Sequence, residues 1–110
     1  MIVIDELQQM LLMLKALGDE SRLAVVRVLG SGERSVGDLA EQVELSESTV
    51  SHHLTRLREA GLVSLRTAGT QRYYSLNASG MARFKHLAAK IESIQPLPPP
   101  EQCDDPSWIR

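Results

Sequence analysis

Along the first seventeen residues, apolar side chains return every three or four positions, at Leu7, Met10, Leu11, Leu14 and Leu17. That spacing predicts a helix over residues 5–17. Leu12, Met13 and Ala16 widen its apolar surface beyond one stripe. A small domain rarely covers both sides of such a helix, so surface is left over for a partner. Asp19 is placed to cap a second helix, with Glu20 in the favourable first turn. Leu23, Val26, Val28 and Leu29 form its apolar side until Gly30 and Gly32 end it. Ser35-Val36-Gly37-Asp38 has the form of a capping box and opens a short third helix through Val43. After the turn Glu44-Leu45-Ser46, Ser46 caps a fourth helix running to Ala60, and Gly61 stands where a left-handed residue is wanted. Two helices joined by a three-residue turn make a helix-turn-helix.

Past Gly61 the period changes. Residues 62–67 and 72–76 are β-prone runs, and Ala68-Gly69-Thr70-Gln71 between them predicts a four-residue hairpin tip. Asn77 or Ser79 can cap a last helix whose stripe is Phe84, Leu87, Ala88, Ile91 and Ile94. The prolines at 96 and 98–100 end it. The expected fold is mainly α with a β-hairpin, in the order α-α-α-α-β-β-α: a winged helix-turn-helix. Residues 1–94 form that domain, and 95–110 a proline-rich acidic tail.

Length and composition narrow the class. A chain of 110 residues suits one domain, and 4% aromatic residues imply an aliphatic core. No apolar run approaches the ~18 residues of a membrane span, and no signal-peptide layout opens the chain. One cysteine, Cys103, excludes an intrachain disulfide and fits a reducing cytoplasm. The net charge of −2 conceals a strong asymmetry. Residues 1–50 carry four basic against nine acidic side chains, residues 51–90 seven against Glu59 alone, and residues 91–110 one against four. The central stretch is therefore at +6, which predicts a basic working face and an anionic partner.

The fourth helix and the hairpin fall in that stretch. Val50, Leu54 and Leu57 make the inward stripe of the helix, while Ser48, Thr49, Ser51, His52, Thr55 and Arg56 populate its other faces. Ser48, His52 and Arg56, at i, i+4 and i+8, share one of them. Short hydroxyls let a helix lie close to a groove floor, and the two longer donors reach base edges or phosphates. Ser46 and Glu47 stand at the start of the helix. Arg66 and Arg72, with Gln71, flank a slender glycine-containing tip suited to phosphate or minor-groove contact. A merely solvated polar helix face and an idle hairpin are the bland alternatives; the capped helix-turn-helix beside a basic hairpin argues against both.

The stretches Leu17-Gly18-Asp19-Glu20-Ser21-Arg22-Leu23, Leu45-Ser46-Glu47-Ser48-Thr49-Val50-Ser51-His52-His53-Leu54, Leu57-Arg58-Glu59-Ala60-Gly61-Leu62-Val63 and Arg72-Tyr73-Tyr74-Ser75-Leu76 resemble the ArsR/SmtB family of bacterial winged helix-turn-helix repressors. The resemblance runs from about residue 7 to 94. It implies a homodimer paired through the first and last helices, here through Leu7, Met10, Leu11, Leu14, Phe84, Leu87, Ala88 and Ile91. It also implies binding to a double-stranded DNA operator, released by an inducer. Three positions depart from the family pattern. Arg34-Ser35-Val36-Gly37-Asp38 replaces the Cys-x-Cys of thiophilic-metal sensors. The last helix offers His86, with Glu92 six residues on, in place of the paired ligands of zinc sensors. Glu47 stands where many relatives place glutamine; it repels phosphate but can accept from a cytosine amino group.

No metal site is predicted, and nothing in the sequence calls for a cofactor. His52 and His53 point about 100° apart on a helix and do not form a metal pair. Cys103 is the one residue open to redox chemistry, through an intermolecular disulfide or a sulfenic acid. No nucleophile–base constellation or phosphate-cradling glycine loop appears, so no enzyme is expected. The expectation is a cytoplasmic, homodimeric, sequence-specific DNA-binding regulator with an unknown inducer and no membrane partner. A winged-helix module that binds protein is the alternative. It would expose apolar anchors where this chain has Ser, Thr, His and Arg.

Overall fold

Side-chain caps set where four of the five helices begin. Asp19 Oδ2 accepts from the Arg22 amide at 3.0 Å, Ser35 Oγ from the Asp38 amide at 3.2 Å, and Ser46 Oγ from the Thr49 amide at 3.2 Å. Asn77 Oδ1 accepts from the Gly80 amide at 2.8 Å, so Asn77 rather than Ser79 starts the last helix. The computed structural model describes residues 4–94. The elements are α1 (Ile4–Leu17), α2 (Glu20–Leu29), β1 (Arg34–Ser35), α3 (Val36–Val43), α4 (Glu47–Glu59), β2 (Val63–Ala68), β3 (Gln71–Leu76) and α5 (Ala78–Ile94). The expected helices and hairpin are all present. The tail from residue 95, with Cys103 and Trp108, lies outside the described residues.

β1 is the element that the pattern did not predict. Two residues cannot display a period, yet Arg34 and Ser35 pair antiparallel with Tyr74 and Tyr73 and extend the hairpin to a three-stranded sheet ordered β1-β3-β2. The hairpin tip is also tighter than the expected four residues. Ala68 already pairs with Gln71, leaving Gly69-Thr70 as the turn. Gly69 has φ +62° and Thr70 has no positive φ, the glycine-first pattern of a type II′ turn that matches strand twist.

The end of α4 is closed by a Schellman motif. Gly61 sits at φ +79°, its amide donates to Arg58 O at 2.9 Å, and the Leu62 amide donates to Leu57 O at 3.0 Å. The turn of the helix-turn-helix is closed differently: Glu44 itself adopts the left-handed conformation, at φ 57°.

Val25, Leu39, Val50, Leu54, Leu57, Leu62 and Leu87 are fully buried, and no polar or charged residue among those described is buried. α1 contributes Met10, Met13 and Ala16 to this core. Leu7, Leu11 and Leu14, which read as the main stripe, are exposed at 50%, 52% and 45%. Met10 and Leu87, expected at a subunit interface, are instead part of the chain's own core at 6% and 0% exposure. The reason is the spacing: Met10, Met13 and Ala16 lie three apart on one face, and Leu87 of α5 belongs to the same buried cluster. The two helices run antiparallel. Glu6 accepts from Lys90 at 2.7 Å and Gln9 from Arg83 at 3.0 Å. Among the described residues, no helix is long and apolar enough to cross a membrane.

α5 docks onto the α4–β2 corner at close range. The Asn77 amide donates to Leu62 O at 2.9 Å, and a side chain at Gly80 would overlap the Gly61 carbonyl. Backbone cannot move aside there without opening the Schellman turn. Gly80→Ala is therefore expected to destabilise the fold by about 1–3 kcal/mol, despite the better helix propensity of alanine. Urea unfolding of the two proteins measures this, and an unchanged midpoint would contradict the close packing.

Candidate nucleic-acid interface

Burying Val50, Leu54 and Leu57 at 0% exposure orients the rest of α4. Ser48, Thr49, His52, Thr55 and Arg56 are exposed, and Ser51 is half-buried. Their donors are not equally available. Ser46 Oγ donates to Thr49 Oγ1 at 2.8 Å in addition to its capping bond, and lies 3.3 Å from Ser48 Oγ. The Thr55 hydroxyl donates back to Ser51 O at 2.9 Å. The side chains of His52 and Arg56 make no hydrogen bond or ion pair among the described residues. They are the long donors of the outward row.

Two clefts flank this helix. The first, of about 250 Å³, is lined jointly by Glu47 and Ser51 of α4, the start of α3, and Thr70, Gln71 and Arg72 of the hairpin. It brings the front of α4 and the tip of the wing to the same side of the molecule. The second, of about 580 Å³, lies on the opposite flank, where His52 and Arg56 meet Lys15 of α1 and Arg22 of α2. Nothing in the sequence pattern joined Lys15 and Arg22 to the fourth helix, because that proximity arises only when α1 and α2 pack behind it.

The sequence treats Arg66 and Arg72 alike; the structure separates them. Arg66 holds Glu33 with two parallel bonds, Nε to Oε2 at 3.0 Å and Nη2 to Oε1 at 2.8 Å. Its guanidinium also lies 4.8 Å from the ring centroid of Tyr73, its cross-strand partner. It ties the wing to the loop before β1, whereas Arg72 has no such partner among the described residues. The bond to Arg66 holds the Glu33 carboxyl below its ordinary value and, reciprocally, raises Arg66. The +6 stretch is further divided, since Lys90 and Arg83 reach across to α1. The basic working face is thus smaller than the segmental charge implies.

The histidines stay separate. His52 and His53 have ring centroids 6.3 Å apart and tilted. His53 is half-buried at the helix edge, with Nδ1 enclosed and without a hydrogen-bond partner among the described residues, while His52 and His86 are exposed. Among the described residues, no three His, Cys, Asp or Glu side chains gather where a metal ion would fit.

A model described as bacterial regulatory protein, arsR family, matches residues 19–64. The chain is 39% identical over 79 residues to the transcriptional activator HlyU of Vibrio cholerae, an overlap of 72% of this chain and 73% of that one. The chain belongs to the ArsR family. It is also 42% identical over 71 residues to the HTH-type transcriptional regulator Rv2034 of Mycobacterium tuberculosis. It is 45% identical over 73 residues to the transcriptional repressor SmtB homolog of Synechocystis. These overlaps cover 64% and 66% of this chain, and span 66% and 55% of those relatives, less than two thirds of each. The solution structure of a homodimeric winged helix-turn-helix DNA-binding domain from Mycobacterium bovis, a possible ArsR-family regulator, superposes with TM-score 0.65 at 29% identity, covering 80% of this chain and 83% of that one. The family and these relatives are transcriptional regulators, not enzymes. The expected winged helix-turn-helix fold is the one observed.

A lowered carboxyl pKa means that the Glu33–Arg66 clamp is present above the unfolded-state value and is lost as pH falls through the folded one, which lies below 4.5. The Tyr73 ring resonances, beside Arg66, are therefore expected to titrate with a midpoint below 4.5 in the native protein. In Glu33→Gln they should show no such transition. NMR titration of both proteins checks this, and identical curves would contradict the clamp.

Proposed function

We propose that this ArsR-family member is a homodimeric, sequence-specific DNA-binding repressor that acts on a palindromic operator. The observation carrying this reading is the cleft shared by the front of α4 and the wing tip, which puts Ser51, Gln71 and Arg72 on one side of the molecule. In it, α4 enters the major groove. Ser48, His52 and Arg56 face base edges, and Glu47, Ser51, Thr49 and Thr55 line the approach. Ser46 serves as the cap that aims the helix. Arg72 and Gln71 contact the flanking backbone, while Arg66 positions the wing through Glu33.

The charge and exposure of this face favour DNA over a protein partner. The exposed large apolar side chains among the described residues are Leu7, Leu11, Leu12, Leu14, Leu23 and Ile91, none of them on α4 or the hairpin. A protein-binding wing would carry such anchors itself. Dimerisation is supported by the apolar face of α1 and by Ile91 of α5, with Phe84 and Ala88 half-buried beside them. Two copies related by a two-fold axis would place two α4 helices on successive half-sites about one turn apart. Repression is the role named for the SmtB homolog, although HlyU is named as an activator.

Fluorescence anisotropy on selected and random duplexes tests the reading. Specific binding about a thousandfold tighter than random is expected. Arg56→Ala should cost about 1–3 kcal/mol on the selected site, and Arg72→Ala should weaken all sequences alike and lower the salt slope by about one. Identical behaviour of the two variants would defeat the assignment of reading to the helix and positioning to the wing.

Light scattering should give twice the chain mass for the native protein. A Leu11→Glu, Leu14→Glu double variant should scatter as a folded single chain, because both side chains are exposed in the monomer. A variant that remained dimeric would place the seam elsewhere.

A further inference from the structure

The larger cleft beside α4 has a composition that DNA contact does not explain. It measures about 580 Å³, within the ~300–1,000 Å³ of small-molecule sites. Lys15, Arg22 and Arg56 face Glu59 as its one carboxylate, so the lining carries uncompensated positive charge. Neither Lys15 nor Arg56 has an ion-pair partner among the described residues. Arg22 is fixed in place: Nε donates to Ala16 O at 2.6 Å and Nη2 to Lys15 O at 3.3 Å, at the carbonyl end of α1. A guanidinium held this way keeps further N–H groups for a ligand without having to be ordered by it. Leu12, half-exposed, and Ala16 supply an apolar wall on the same cleft. Phosphate backbone would use the cations and leave that wall in water.

We propose that this cleft binds a small organic anion with an apolar body. Its charged end sits between Lys15, Arg22 and Arg56, and its apolar part lies along Leu12 and Ala16. The consequence rests on the reading that α4 binds DNA. His52 and Arg56 line the cleft and also stand on the outward row of α4, so a bound anion draws the same donors away from DNA. Ligand and operator then oppose each other, and the coupling is reciprocal.

The test uses the full chain, with octanoate as the probe and octanol and inorganic phosphate as controls. In the absence of DNA, octanoate should shift the backbone amide signals of Lys15, Ala16 and Arg56 in a saturable way, and neither control should match it. On the selected duplex, saturating octanoate should raise the Kd at least tenfold. Lys15→Ala, a substitution at an exposed side chain outside the proposed DNA contacts, should keep the DNA affinity within about twofold and lose the octanoate effect. No saturable shift, or an equal one with octanol or with phosphate, overturns the proposal. So does a Lys15→Ala variant that binds DNA markedly more weakly, since the cleft would then belong to the DNA surface. Saturable octanoate shifts in a protein that binds no duplex would keep the ligand site and remove the DNA reading, so the two failures are told apart.

Discussion

The burial of one edge of α4 governs what the rest of the molecule can do. Val50, Leu54 and Leu57 are wholly enclosed, against a core that includes Leu39 of α3, Val25 of α2 and Leu62 at the foot of the sheet. With 3.6 residues per turn, enclosing those three leaves Ser48, His52, Thr55 and Arg56 no direction but outward. Rotating the helix to hide a donor would expose a leucine. The Ser46 cap and the Schellman turn at Gly61 then fix its two ends. A polar surface of short and long donors is held rigidly because the apolar surface behind it has one good place to go.

Charge follows from the same packing. The basic stretch of the sequence is shared out by tertiary contacts into separate tasks. Arg66 ties the wing to Glu33, Lys90 and Arg83 hold α5 to α1, and Arg56 on the outward row of α4 and Arg72 on the wing have no ion-pair partner among the described residues. The exposed ion pair contributes little to global stability. Its effect is to limit where the wing can swing, because Glu33 stands beside β1 and β1 is hydrogen-bonded to β3. Lys15 and Arg22 then restore positive charge on the far flank of α4, from helices whose sequence surroundings are acidic.

α1 shows how far an apolar pattern can be read. Its leucines and methionines cover most of its circumference, so the pattern signals surplus apolar surface without saying which side faces inward. The methionines do. Met10 and Met13 fill the core with Ala16, while Leu7, Leu11 and Leu14 stand outside. Flexible thioethers suit a gap between helices that meet from several directions.

Local signals in the sequence determined the five helices, the caps at Asp19, Ser35 and Ser46, the choice of Asn77 or Ser79 before the last helix, the glycine after α4, the hairpin and the outward row on α4. Each is written within a few residues of where it acts, as a period, a capping side chain or a turn former. Tertiary structure alone decided the two-residue strand β1, the clamp between Glu33 and Arg66, the closeness of Gly80 to Gly61, the inward face of α1 and the cleft that joins Lys15 and Arg22 to His52 and Arg56. These depend on contacts between residues far apart in the chain. Their partners are chosen by how helices and sheet pack around a shared core, and no local pattern carries that information.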